Sequence, residues 1–295
     1  MTARTMTTVM NKWMMKRATI ALCLGVAGAA WADGAGQVTT PADLAPAAAR
    51  TLKDGIAAAR KADPGAFAAL AAVRGYKPEQ YMTTRGRKPN LAPELAGLGK
   101  RGLWPMLEAL TEGLPGVGAV SAAEQQAIEV GLLDAVGKLA DPRAEAVLAV
   151  AFSKAGQPGH VVATAALGLG RLCSGELDGA LTGKRGAFAA GAALRGVGEC
   201  RRPASIEKLT AAASARPLSD AEVQAAAEAL GKLGGSWALD AEVAAGTRLR
   251  AEADVMKAAA GQALTALERS AGRRVATATA RALRHARAMV SAKQP

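Results

Sequence analysis

The sequence predicts an all-α chain folded as a right-handed α-solenoid of stacked helical hairpins. Three observations predict it. Roughly one residue in four is Ala and aromatics are only 3%, a composition that favours helices and gives strands little to build on. A short pattern (an apolar residue, Gly, then usually a basic residue) recurs at a spacing of about one helical hairpin. Helix-start signals precede runs in which apolar residues return every three or four positions.

The pattern stands at Leu98-Gly99-Lys100, Val136-Gly137-Lys138, Leu169-Gly170-Arg171, Val197-Gly198-Glu199 and Leu230-Gly231-Lys232. Its glycines are spaced 38, 33, 28 and 33 residues apart. Apolar residues follow in partial register, at Leu107 and Leu110, Val147 and Leu148, Leu177 and Leu181, Ile206 and Leu209, Leu239 and Val243. Each period has room for two helices. Ser121-Ala122-Ala123-Glu124 is a capping box before Ile128, Leu132, Ala135, Val136 and Leu139. Asp141 and Pro142 supply an N-cap and a first helical residue for a helix burying Val147, Leu148, Ala151 and Phe152. Ser219-Asp220-Ala221-Glu222 is a second capping box, before Val223, Ala226, Ala227, Leu230 and Leu233. Thr40-Pro41-Ala42-Asp43 starts an earlier helix in the same manner. The repeated glycines are expected near helix C-termini, where Gly commonly ends a helix. An Ala-rich hairpin buries little apolar area alone, so neighbours must share a continuous core.

The strings Val136-Gly137-Lys138-Leu139-Ala140-Asp141-Pro142-Arg143 and Ala229-Leu230-Gly231-Lys232-Leu233-Gly234 resemble HEAT repeats, closest to the short bacterial type also found in phycobilin lyases. The resemblance spans residues 91–247 and implies an armadillo-like superhelix with an extended binding surface. The Asp-Pro step is intact only at Asp141-Pro142; Cys173-Ser174, Arg202-Pro203 and Gly235-Ser236 replace it elsewhere. Residues 33–90 are expected to form an N-terminal helical cap (Leu52, Ile56, Ala59, then Phe67, Leu70, Val73) and a loop at 76–90. Gly113–Gly118 reads as another loop, and residues 248–295 as basic C-terminal capping helices.

The first thirty-two residues read as a signal peptide. Lys12, Lys16 and Arg17 precede a short apolar run, and Ala30-Trp31-Ala32 is an A-x-A cleavage pattern. The run is too short for the ~20 residues of a transmembrane helix. Cleavage after Ala32 would lower the formal net charge from +12 to +8 by removing Arg4, Lys12, Lys16 and Arg17. Export to the periplasm or beyond is the expectation, and it leaves Cys173 and Cys200 as the only cysteines. They are either bonded, as an oxidising compartment favours, or two reduced thiols packed as small hydrophobes.

Catalytic groupings are scarce. His160 and His285 are the only histidines, and neither HExxH nor CxxCH occurs. His160 follows Gln157-Pro158-Gly159, a turn, where an exposed or capping role is expected. Glu124, Glu129, Glu222 and Glu228 are expected on outward helix faces, and no Cys/His/carboxylate cluster has metal-ligand spacing. Gly113–Gly118 lacks the Lys-Ser/Thr of a phosphate loop. No cofactor is expected.

Positive charge is better patterned. Lys100, Lys138, Arg171 and Lys232 follow repeated glycines, with Arg101, Arg143, Arg201 and Arg202 beside them. Stacked repeats would align these as a basic ridge for an anionic partner, or the same residues complement helix C-terminal dipoles. Near the C-terminus, Val275, Thr279, Leu283, Ala286 and Val290 form an apolar stripe, with Arg274, Arg281, Arg284, His285 and Arg287 on other faces. That helix is either an end cap or a contact for an anionic surface. The functional expectation is a non-enzymatic exported scaffold mediating protein–protein interaction. The alternatives are binding of nucleic acid or another anionic polymer through the basic face, and a lyase-like enzyme.

Overall fold

A computed structural model of the chain describes residues 34–73, 91–114, 117, 120–182, 186–272 and 275–292. The chain divides into two compact units, Met1–Gly34 and Ala35–Pro295, and every helix described belongs to the second. The signal segment with Ala30 and Ala32, the loop at 76–90, Arg274 and most of Pro115–Ala119 lie outside the described residues.

The described residues are helical, without a strand. The chain enters through an extended segment at 35–39. Its backbone N–H groups at Val38 and Thr39 donate to the carbonyl of Leu110, and Leu114 N–H donates to the carbonyl of Ala35. A single 3-10 turn at Pro41–Asp43 comes next, held by the Asp43 carboxylate on the Thr40 N–H at 2.8 Å. The helix expected there begins only at Pro46, because the backbone is extended at Leu44.

Helices α1 (Pro46–Ala62) and α2 (Pro64–Ala72) are the cap pair read from the sequence, with Leu52, Ile56, Phe67 and Leu70 buried. Then come α3 (Ala92–Ala96), α4 (Leu103–Glu112), α5 (Ala122–Leu139), α6 (Glu145–Ser153), α7 (Gly159–Arg171), α8 (Asp178–Leu181), α9 (Ala187–Val197), α10 (Pro203–Ala215), α11 (Asp220–Gly234), α12 (Ser236–Ala244), α13 (Arg250–Ala271) and α14 (Thr277–Ser291). Both capping boxes form: Ser121 exchanges hydrogen bonds with Glu124 at the start of α5, and Ser219 does so with Glu222 at the start of α11. Asp141 accepts from the Arg143 N–H and opens a 3-10 turn that runs into α6.

Packing follows chain order: α5 lies on α7, α7 on α9, α9 on α11, and α11 on α13 and α14. Between these, α6 packs on α7, α8 on α9, and α10 on α11 and α13. One hydrophobic core runs through them, from Val38 and Leu44 to Leu283 and Ala286. The apolar stripe of α14 is used inward, with Thr279, Leu283 and Ala286 buried.

The repeated glycines at 137, 170, 198 and 231 lie near helix C-termini as expected, Gly198 being the C-cap of α9, and they have a second job. Gly99 stands at φ +56° in a 3-10 turn. Gly137, Gly170 and Gly231 lie inside helices, at the places where neighbouring backbones touch. A Cβ on Gly137 would stand 2.7 Å from the Cα of Gly168, and one on Gly198 equally close to the Cα of Ala229. A Cβ on Gly170 would overlap the carbonyl of Gly196, and one on Gly231 would lie 3.1 Å from the Cα of Ala286. A side chain at any of these positions would hold the helices apart. The left-handed C-terminal caps fall instead to Ala140 (φ 48°) and Cys173 (φ 54°). At Cys173 the turn closes in the Schellman manner, with Ser174 N–H reaching the carbonyl of Leu169 at 3.0 Å.

Candidate binding cleft

The turns after α7 and α9 bring Cys173 and Cys200 together, and the two are bonded, with Cα atoms 4.9 Å apart. Helix spacing of about 8–10 Å would keep them apart, but the left-handed turn at Cys173 swings its Cα toward the next layer. The bond ties two successive layers at the ends of their helices.

The same ends carry charge. Lys138 in the last turn of α5 meets Asp134 at 2.8 Å, and Arg171 at the end of α7 meets Asp134 from the other side, also at 2.8 Å. Arg171 continues to Glu199 at 3.4 Å, and Lys232 of α11 meets Glu199 at 2.6 Å. Three cations and two carboxylates therefore alternate as a ladder across four layers. Burial pushes the Asp134 carboxyl up, but Lys138 and Arg171 outweigh it and hold the group below its ordinary value.

The eight basic positions do not form one free ridge. Arg101 is paired with Asp63 at 2.9 Å. Arg143 is paired with Asp141 at 2.6 Å, with its guanidinium over the ring of Trp104. Arg143 first, with Lys100 adding from further away, holds the Asp141 carboxyl low. Lys138, Arg171 and Lys232 are the cations of the ladder, and Arg201 lies against Glu242. Lys100 and Arg202 are exposed, without a salt bridge among the described residues. On α14, Arg281, Arg284 and His285 face solvent, and Arg287 is paired with Glu268 at 2.5 Å.

Where the ladder meets α12 and α14, a cleft of about 660 Å³ opens, lined by Arg171, Glu199, Arg201, Lys232, Trp237 and Met289 among others. Helix α12 enters it by its N-terminus: Gly235 is the N-cap and supplies no capping side chain, and Gly235, Trp237 and Ala238 all line the wall. The buried face of α12 is Ser236, Leu239 and Asp240, so Trp237 is turned outward and is 78% exposed. Arg201 is held from behind, its carbonyl accepting from Arg248 Nη2 at 2.7 Å. Its Nε is in ion-pair contact with the Glu242 carboxylate, which also takes Arg248 Nε at 2.6 Å.

Two carboxylates expected to face outward are buried. Glu129 is 4% exposed and takes Gln125 Nε2 at 2.6 Å and His160 Nε2 at 2.5 Å. Gln125 in turn accepts from the Gly36 N–H at 3.2 Å. His160 is thus half-buried and joined to the core rather than left in a solvated turn; the cluster fastens the 35–39 segment to α5 and α7. Glu222 is 2% exposed: burial pushes its carboxyl up, but Arg216 and the Ser219 N–H and hydroxyl outweigh this and bring it down to about 2. Glu129 meets His160 of α7, whereas Glu222 is covered by Arg216 and Ser219 from the turn leading into its own helix. Glu124, sealed onto Ser121, and Glu228, paired with Arg195 at 2.7 Å, do lie toward the surface.

Sequence reasoning missed Trp237 and Met289, and it missed the acids that tie up the basic positions. A signal for one of them was present. Glu199 interrupts the basic series between Arg171 and Lys232, where an acid can serve both neighbours. No group of three or more His, Cys, Asp or Glu suited to a metal ion occurs among the described residues, and no helix there is long and apolar enough to cross a membrane. No protein-family model matches the chain, and no curated protein matches it in sequence.

Proposed function

We propose that the chain is an exported, non-enzymatic α-solenoid scaffold of HEAT-like repeats that binds a protein partner through the cleft around Trp237. The observation that carries this reading is Trp237 itself: a large apolar side chain, 78% exposed, on the rim of a cleft flanked by Arg171, Arg201 and Lys232. Trp and Arg dominate the energetics of protein interfaces, and a ring that wet gains most by being covered. Chain-order packing of helices supports the repeat reading, because successive layers meet at equivalent glycines. The Cys173–Cys200 bond supports export, because such bonds persist in oxidising compartments.

A photoreactive amino acid at position 237, with a second at Val255 as an exposed comparison site, tests the reading in the native cell. Covalent capture of one discrete protein from position 237 but not 255 is the expected result. Equal, diffuse labelling from both positions, or turnover of a substrate by the isolated chain, overturns it.

One observation favours the polyanion reading: Arg202, Arg281 and Arg284 reach the surface without acidic partners among the described residues. Binding of that kind weakens steeply with salt. Retention on a polyanion resin that collapses between low and moderate salt, and is lost in Arg281→Gln/Arg284→Gln, would move the function to that surface.

A further inference from the structure

We propose that the Cys173–Cys200 bond is a thiol–disulfide exchange site: a dithiol attacks Cys173, expels the Cys200 thiolate, and by opening the bond loosens the wall of the cleft. The second half rests on the reading of the cleft as a protein-binding site; the exchange itself does not.

The bond is within reach of a reagent. Both cysteines are half-buried rather than sealed in the core. Both line a pocket of about 100 Å³, together with Ser174, Arg202, Ser205 and Lys208. Access and the charge around each sulfur govern exchange.

The surroundings of the two cysteines differ. After Cys200 the chain turns at once into α10, which begins at Pro203 with no side chain capping its N-terminus. Arg202, exposed and without a salt bridge among the described residues, stands between them. Lys208 lines the same pocket and is shared with Asp178 at 2.8 Å. Cations and a helix N-terminus stabilise a thiolate. The Cys173 side carries acids instead. Ser174 Oγ donates to Glu145 at 2.6 Å and accepts from the N–H of Glu176. Cys200 is therefore the better leaving group. An arriving thiolate forms a bond to Cys173 Sγ, the disulfide breaks, and its electron pair stays on Cys200 Sγ. The reagent's second thiol, as thiolate, then attacks the reagent's own sulfur in the mixed disulfide and releases Cys173. The dithiol ends as a disulfide, and its two protons end on the two cysteines.

The turn does not depend on the bond. Ala140, three residues after Gly137, has the same left-handed backbone as Cys173, three residues after Gly170, and no bond holds it. The reduced cysteines therefore stay in neighbouring turns, and an oxidant can close the bond again. What the bond adds is a covalent fastening between those turns. Arg171 lies two residues before Cys173, and Glu199 directly before Cys200. Their 3.4 Å contact spans the two turns in the wall of the cleft. With the bond open, nothing covalent fixes that contact.

The test uses the full, folded chain with dithiothreitol as the dithiol. Reduction should be unchanged by low urea, and Arg202→Gln should slow it by about threefold or more. A rate that climbs with urea as unfolding does would mean that the bond opens only in unfolded chains, and overturns the proposal. Brief exposure to the monothiol β-mercaptoethanol, then iodoacetamide and mass mapping, should place the adduct on Cys173 and the alkyl group on Cys200. The reverse, or an even split, overturns the leaving-group assignment, as does an unchanged rate in Arg202→Gln. Hydrogen–deuterium exchange at short labelling times reads local opening. On reduction it should rise at residues 171–175 and 198–202 and stay unchanged in α1 and α2; no rise at the wall, or an equal rise everywhere, overturns the second half. If the exchange results hold while photocapture at position 237 fails, the protein-binding reading falls and the exchange site stands. If capture succeeds while the bond yields only to unfolding, this inference fails and the scaffold reading stands.

Discussion

Adding one methyl group at Gly137 should destabilise the protein, although Ala is the better helix former. On α5 the new Cβ would stand 2.7 Å from the Cα of Gly168 on α7. Carbon atoms in contact prefer about 3.5–4.0 Å, so the two helices must part by roughly 1 Å. The obstacle is backbone, not a flexible side chain that could turn away. Separation on that scale forfeits a quarter to a half of the dispersion well for pairs across the contact. Overpacking of this kind costs about 1–3 kcal/mol, against which Ala recovers about 1 kcal/mol of helix propensity. The net expectation is a loss of up to about 2 kcal/mol, read as a lower urea midpoint by far-UV circular dichroism. Gly191 on α9 provides the opposite sign, since a Cβ there meets nothing within 4 Å. Gly191→Ala should therefore raise the midpoint, by about 0.5–1 kcal/mol. A Gly137→Ala protein stabilised as much as Gly191→Ala would refute the claim that these backbones touch.

Reduction of the Cys173–Cys200 bond, or Cys173→Ser with Cys200→Ser, opens a closed loop spanning 27 positions and should cost about 2–4 kcal/mol; a thermal melt with and without reductant measures it. Glu222 is held at about 2 in the folded chain against an ordinary 4.5, so its contribution is fully present above pH 4.5 and is lost as the pH falls from there toward 2. Urea midpoints measured over that window should fall more steeply for the parent than for Glu222→Gln. Arg171→Gln removes the shared cation between Asp134 and Glu199 and should cost about 1–3 kcal/mol, whereas Lys138→Gln, whose side chain is half exposed, should cost under about 1 kcal/mol. Equal losses in a denaturant series would mean that the ladder is not centred on Arg171.

Local chemistry was the legible part of the sequence. Ser121 with Glu124, Ser219 with Glu222, and Asp141 with Pro142 each mark a helix start by side chains within three residues, and all three form. The inward faces followed from spacing alone, so Leu148, Phe152, Leu230 and Leu233 are buried as expected. What could not be read is what one layer does to the next. Gly170 looks like a helix stop in one dimension and is a contact point in three. Glu129 looks solvated until α7 brings His160 against it. The basic positions were legible as a series, but their partners Asp134 and Glu242 come from other turns and other layers. Trp237 was hidden for the same reason: its exposure depends on Leu239 and Asp240 taking the buried face of a nine-residue helix.

A partner that binds as proposed covers the cleft between the end of α11, the start of α12 and the end of α14. Hydrogen–deuterium exchange of the chain with and without its photocaptured partner tests this most directly. Protection confined to residues 198–202, 232–238 and 289–292 is the predicted result. Protection centred on the outer face of α14 around Arg281 and Arg284, with the cleft exchanging as freely as before, would contradict it.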